Sequence, residues 1–300
     1  MEKTTKLSNG IECPTMGLGA YLAKDENLTY QAIKDGTRLI DTAAAYRNED
    51  LVGKGIKKAI DEGIVKREDL FIITKLNIDE EKNDPETALN NSLKRLQLTY
   101  VDLYLDHWPL VNMTKDGVKT IPLKETWKKM EKLVESGKTK MIGCSNYNVQ
   151  SLLIILSFCK IKPCFNEVEF HPYLYQKDLK EFCDKENIKI ICYNPIVKGD
   201  YCSNSTEIIK EKKLDLLNED IVKSLAEKYK KTPGQVVLNW HLYLGVIPIP
   251  GTSNPNRMKE NIGALDFKME EEEYKKLSSF DEKQHRFCFS SSFLGFDIFA

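Results

Sequence analysis

Eight short apolar runs, separated by charged stretches of helical period, limit most strongly what this chain can become. PTMGLG, RLIDTA, LFIITK, VDLYLDH, TKMIGCSN, FNEVEF, IKIICYNP and GVIPIPG each read as a strand. Between them lie stretches such as NEDLVGKGIKKAIDEG, DPETALNNSLKRLQ and LKETWKKMEKLVESG, with the spacing of helices. Asp84-Pro85 fits an N-cap followed by a first-turn proline, and Gly63 and Gly137 fit helix stops. Strands that alternate with helices pair in parallel, and eight strands close a barrel. The expected fold is α/β, a (β/α)8 TIM barrel forming one domain over 1–300. A doubly wound open sheet competes, but no G-x-G-x-x-G follows the first strand. Ahead of the barrel, Asn9-Gly10 between alternating residues predicts a two-residue N-terminal β-hairpin turn. Two segments exceed connection length: 109–122, and the aromatic tail 281–300, read as a C-terminal substrate loop.

Composition narrows the function classes. The 300 residues are 41% hydrophobic, ample for one large core. Basic and acidic residues number 44 and 45 and are dispersed, which argues against nucleic acid or an anionic membrane as partner. No apolar stretch approaches the about 18 residues of a membrane span. The polar N-terminus lacks the apolar core of a secretory signal, so the expected compartment is cytoplasmic. The eight cysteines form no C-x-x-C pair, and no His completes a zinc set, so no metal site is expected. They read as core or helix-face thiols, with Cys144 the one to watch for oxidation.

Four residues carry chemistry. Asp41 ends RLID, Lys75 ends FIITK, His107 ends VDLYLDH, and Tyr46 follows Asp41 in DTAAAY. In a closed barrel the C-terminal ends of all strands open into one mouth. Alternation turns Val101, Leu103, Leu105 and His107 inward, and Asp102, Tyr104 and Asp106 toward the helices. A buried lysine needs a counter-charge, and Asp41 is the obvious one. A phenol, an ammonium, a carboxylate and an imidazole together make a proton donor without a nucleophile. That suits reduction of a carbonyl by an external hydride: Tyr46 protonates the oxygen, Lys75 and Asp41 lower its pKa, and His107 orients the substrate. Each residue taken singly has a structural explanation. Convergence at one mouth favours the chemical one.

At these residues the chain resembles the aldo-keto reductase family over about residues 5–265. DTAAAYRNEDLVG, with Asp41, Tyr46, Glu49 and Gly53 in register, is similar to the family's first signature. KMIGCSNY and PGTSNPNRMKENI are similar to the second and third, and LYLDHWP carries the histidine. The resemblance implies a (β/α)8 barrel, NADPH as cofactor with NADH as an alternative, a small carbonyl substrate and a monomer. It implies that Ser145 and Asn146 hold the nicotinamide carboxamide and that Tyr193 stacks on the ring. Thr252, Arg257 and Asn261 then meet the adenosine-phosphate end.

Several positions depart from the family pattern. Glu167 stands where glutamine is common; its charge is expected to favour the oxidised nicotinamide. Gly251 replaces a basic residue, which weakens the preference for NADPH over NADH. Asn194 replaces a serine beside the pyrophosphate. Asp106, beside His107, is expected to turn outward and pair with a cation. Tyr21 and Trp108, with the tail phenylalanines 287, 289, 293, 296 and 299, are expected to wall the substrate cleft. The leading reading is NADPH-dependent reduction of aldehydes or aldoses. A dehydrogenase running in reverse and a weakly catalytic nucleotide sensor are the alternatives.

Overall fold

The structure is a computed structural model, and it describes residues 1–77, 84–109, 113–114, 117–118, 122–197, 214–252, 254–283 and 285–288. Strands β1 (Thr4–Lys6) and β2 (Glu12–Pro14) pair antiparallel as an N-terminal hairpin. Its turn is longer than Asn9-Gly10 predicts. Leu7 donates to the Ile11 carbonyl at 2.9 Å, enclosing Ser8, Asn9 and Gly10. Gly10 takes a φ of +84°, the left-handed residue that ends a three-residue hairpin loop.

All eight apolar runs become strands of one sheet. In chain order they are β3 (Leu18–Gly19), β4 (Leu39–Asp41), β5 (Phe71–Leu76) and β6 (Val101–Asp106). After a small hairpin of β7 (Met113–Thr114) and β8 (Gly117–Val118) come β9 (Thr139–Ser145), β10 (Phe165–Glu169), β11 (Lys189–Tyr193) and β12 (Ile247–Pro248). Neighbours are parallel, and the spatial order follows the chain order. The ring closes through two backbone hydrogen bonds, Gly17 to Pro248 at 3.1 Å and Gly19 to Pro250 at 3.4 Å. A Cβ on Gly19 would lie 2.7 Å from the Ile249 carbonyl oxygen, so only glycine admits this approach.

The barrel interior is apolar, with Leu39, Phe71, Ile73, Leu103, Leu105 and Phe165 among its residues. Leu7 and Cys13 of the hairpin region join the same cluster. A larger outer cluster packs the strands against the helices and contains Tyr104, Trp127 and Trp240. Val101, expected inward, joins that outer cluster at the rim where β6 enters the sheet. Cys144 does the same. Its thiol is fully buried beneath helices, so the expected sensitivity to oxidation does not hold. Cys288 is disulfide-bonded, a correction to the expectation of thiols throughout. Cys202 lies outside the described residues.

The predicted caps fall where expected. Asp84 accepts from the Thr87 amide at 3.2 Å ahead of α3 (Pro85–Leu96), with Pro85 in its first turn. Gly63 follows α2 (Glu49–Asp61) and Gly137 follows α4 (Leu123–Glu135), both at positive φ. Glu49 opens α2 and is buried. It accepts from the Thr74 hydroxyl at 2.5 Å and from Arg95 Nε at 2.7 Å, tying α2 to β5 and α3.

Gly53 lets α2 and α3 meet, because a Cβ there would sit 2.6 Å from the Leu96 carbonyl carbon and oxygen. Backbone cannot yield as a flexible side chain would. Gly53→Ala should lower stability by about 1–3 kcal/mol, measured as a shift in urea midpoint at unchanged slope.

Candidate active site

Asp41 and Lys75 come from adjacent strands, and both are buried. Lys75 Nζ donates to Asp41 Oδ2 at 2.6 Å, to the Thr42 carbonyl at 3.1 Å and to the Tyr46 hydroxyl at 3.4 Å. Tyr46 sits at the end of a 3-10 turn (Ala44–Tyr46), half-buried at the mouth. That turn follows β4 directly, which is why a residue five places after Asp41 returns over Lys75. His107 lies one residue past β6, its ring 5.8 Å from the Tyr46 ring. The four sequence-predicted residues therefore meet at one place.

A fifth group joins them. Glu167 Oε1 lies 3.2 Å from Lys75 Nζ, and its side chain is within hydrogen-bonding reach of Asp41. The sequence reading gave Glu167 a place beside the cofactor and missed its contact with the acid group. The available signal was alternation in β10, which turns Phe165, Glu167 and Glu169 to the same face.

These contacts set the acidities. Burial works against the Lys75 ammonium, yet Asp41, Glu167 and Tyr46 hold its pKa above the ordinary lysine value. Burial pushes the Tyr46 phenol up; Lys75 pulls it back, and Asp41 and Glu167 push it up again. The net direction is upward, opposite to expectation, because burial outweighs the pull of Lys75 and the two carboxyls add to it. Burial and the Asp41 charge likewise push the Glu167 carboxyl well above its ordinary range, against the pull of Lys75.

A second cluster borders the first. The Ser145 hydroxyl donates to the Glu167 carbonyl at 2.9 Å, and Asn146 Nδ2 donates to the His107 carbonyl at 3.0 Å. The Tyr193 hydroxyl donates to Asn146 Oδ1 at 2.8 Å, which fixes a half-buried ring at the mouth. A hydroxyl, an amide and a tethered aromatic face fit a planar ring bearing a carboxamide. Glu167 Oε2 is buried with no hydrogen-bond partner among the described residues, so one further polar position is open there. Asn194 is committed elsewhere: its Nδ2 donates to Glu169 Oε1 at 3.0 Å. The Thr252 hydroxyl accepts from the Asn254 amide at 3.1 Å just before a helix at Pro255–Ile262. On that helix Arg257 is exposed in the first turn and Asn261 is half-buried.

The aromatic wall is partly in place. Tyr21 meets Tyr46 edge-on with ring centroids 4.9 Å apart, and Trp108 lies 6.2 Å from His107 at a shallow 27°. Phe287 is buried and packs 5.4 Å from the His171 ring, so it anchors the tail rather than lining a cleft. Phe289, Phe293, Phe296 and Phe299, most of 109–122 and the end of the substrate loop lie outside the described residues. Asp106 turns outward as expected, and its Oδ2 accepts a hydrogen bond from the Tyr147 hydroxyl, a neutral phenol, at 2.8 Å.

The family model described as "Aldo/keto reductase family" matches residues 18–282. The chain belongs to the aldo/keto reductase family. It is 37% identical to aldose reductase B of Dictyostelium discoideum, covering 99% of this chain and 98% of that one. It is 38% identical to glyoxal reductase of Bacillus subtilis, covering 95% of each. Among solved structures, an aldo-keto reductase of Bombyx mori in complex with NADP superposes with a TM-score of 0.88. That protein is 33% identical, with 96% of this chain and 95% of the other covered. The barrel and its N-terminal hairpin accord with this membership.

Glu169, two residues beyond Glu167, holds the start of the tail. Its carboxylate accepts from the Phe287 amide at 3.1 Å and the Cys288 amide at 2.9 Å. Burial pushes its pKa up, but hydrogen bonds from His171 and the nearby charges of His171 and Arg286 bring it below the ordinary range. A depressed folded pKa contributes stability that is complete above the unfolded value and disappears as pH falls through the folded one. Glu169→Gln should therefore speed hydrogen exchange at Phe287 and Cys288. Its Tm deficit should shrink as pH drops below about 4.

Proposed function

We propose that this protein is an NADPH-dependent reductase that converts aldehydes and aldoses to alcohols, working as a monomeric barrel in the cytoplasm. The observation that carries the reading is a mouth-facing phenol 3.4 Å from a buried ammonium and beside an imidazole. NADPH, when bound, supplies a hydride to the carbonyl carbon. Ser145, Asn146 and Tyr193 would hold its carboxamide end, and Thr252, Arg257 and Asn261 its adenosine-phosphate end. Arg257, exposed in a helix's first turn, suits a 2′-phosphate. The dispersed charge of the chain supports a small neutral carbonyl partner.

The residues then divide the work. His107 directs a hydrogen bond at the carbonyl oxygen and fixes which face is attacked. Tyr46 holds its proton until negative charge develops on that oxygen. An alkoxide is more basic than a phenolate, so even a phenol raised by burial gives up its proton readily. Lys75 stabilises the phenolate left behind, and Asp41 keeps the ammonium charged and aimed. Tyr21 and Trp108 exclude water around the reacting atoms.

Purified enzyme should consume NADPH with aldoses, methylglyoxal or aromatic aldehydes, followed by loss of NADPH absorbance. Tyr46→Phe is expected to cut turnover by about 10²–10⁴-fold while NADPH still quenches tryptophan fluorescence. Lys75→Met should match it in direction. Wild-type turnover in the Phe variant would defeat the assignment.

A further inference from the structure

One buried ammonium faces two buried carboxyls. Lys75 Nζ stands 2.6 Å from Asp41 and 3.2 Å from Glu167, and the exposure of all three side chains is 3% or less. With both carboxyls ionised the trio would carry a net negative charge out of contact with water, which is costly. A proton on one carboxyl removes that cost and lets it donate to the other. Asp41 has the shorter contact with Lys75, whereas Glu167 keeps one oxygen without a partner among the described residues. Glu167 is thus the member that carries the proton. Burial and the Asp41 charge act in the same sense. Among the described residues, the titratable groups that interact electrostatically with Glu167 are Asp41 from β4, Lys75 from β5, Tyr46 from the turn after β4, and Cys192 and Tyr193 from β11. Only Lys75 among them is cationic.

Glu167 also borders the cluster read above as the carboxamide site: its carbonyl accepts from Ser145 Oγ and from the Asn146 amide, each at 2.9 Å. We propose that Glu167 is a specificity-determining residue that discriminates cofactor charge with its proton, a neutral acid beside an uncharged ring and a carboxylate beside a cationic one. Binding of NADP+ would then expel the Glu167 proton to solvent, and binding of NADPH would leave it in place. No electrons move in this step; one O–H bond breaks and one hydrated proton forms. The inference rests on the preceding reading that the nicotinamide lies against Ser145, Asn146 and Tyr193.

The linkage is measurable without turnover. Titration calorimetry of NADP+ and of NADPH into the full-length enzyme, in buffers of different ionisation enthalpy, counts the protons released by each. The 2′-phosphate titrates in both nucleotides and cancels in the comparison. Wild type should release up to about one proton more with NADP+ than with NADPH, and the ratio of their Kd values should favour NADP+ by up to about tenfold per pH unit of increase. In Glu167→Gln, a change of the same shape, both differences should vanish. Equal proton counts for the two nucleotides in wild type would overturn the proposal, and so would a difference that survives in the Gln variant. Failure of either nucleotide to bind is a separate result, and it would overturn the carboxamide-site reading along with this one.

Discussion

An ammonium group held out of water governs this structure. Lys75 is wholly buried, and nothing in an apolar barrel would tolerate its charge alone. Asp41 at 2.6 Å answers it, and the Thr42 carbonyl and Tyr46 hydroxyl take its remaining donors. That one requirement fixes the depth of β4 relative to β5 and the course of the turn carrying Tyr46. It also places Glu167 where it cannot behave as a solvated glutamate would.

The barrel meets this demand through its layering. The interior is apolar around Leu39, Phe71, Ile73 and Leu103, and the polar groups gather toward the C-terminal ends of the strands, Lys75 in register with Leu105. Charges lower on the outer face are kept apart from the mouth. Asp102 at the helix-facing side of β6, for instance, binds Arg67 and Lys140, each at 2.8 Å. Polar residues are thereby sorted by strand face and by height, and the mouth brings Asp41, Lys75 and Glu167 together out of contact with water.

Alternation and strand order made much of this legible before any coordinates. Asp41, Lys75 and His107 close apolar runs, and a closed barrel sends all such ends to one opening, so their meeting follows from periodicity. The contact between Lys75 and Glu167 does not. In the ring β5 and β10 are separated by β6 and β9, and only the length of two flexible side chains bridges the gap. The upward shift of the Tyr46 phenol was missed because burial, its largest cause, depends on how the finished mouth packs, and the second carboxyl from across the barrel only adds to it. Glu169 was equally hidden: its partners are backbone amides 118 and 119 residues away, and a backbone amide leaves no mark on a sequence.

The seam between the first and last strands has a further consequence. In IPIP the Ile249 amide donates to Cys192 on the β11 side, while Pro248 and Pro250 offer β3 nothing but carbonyls. The Gly17 and Gly19 hydrogen bonds across that junction thus run one way, from a glycine amide to a proline carbonyl. A joint stitched on alternate residues in this way depends on the close backbone approach that glycine alone permits. The close approach at this seam continues to the Gly251 amide, so the course of the chain into Thr252 is set by a glycine on the first strand.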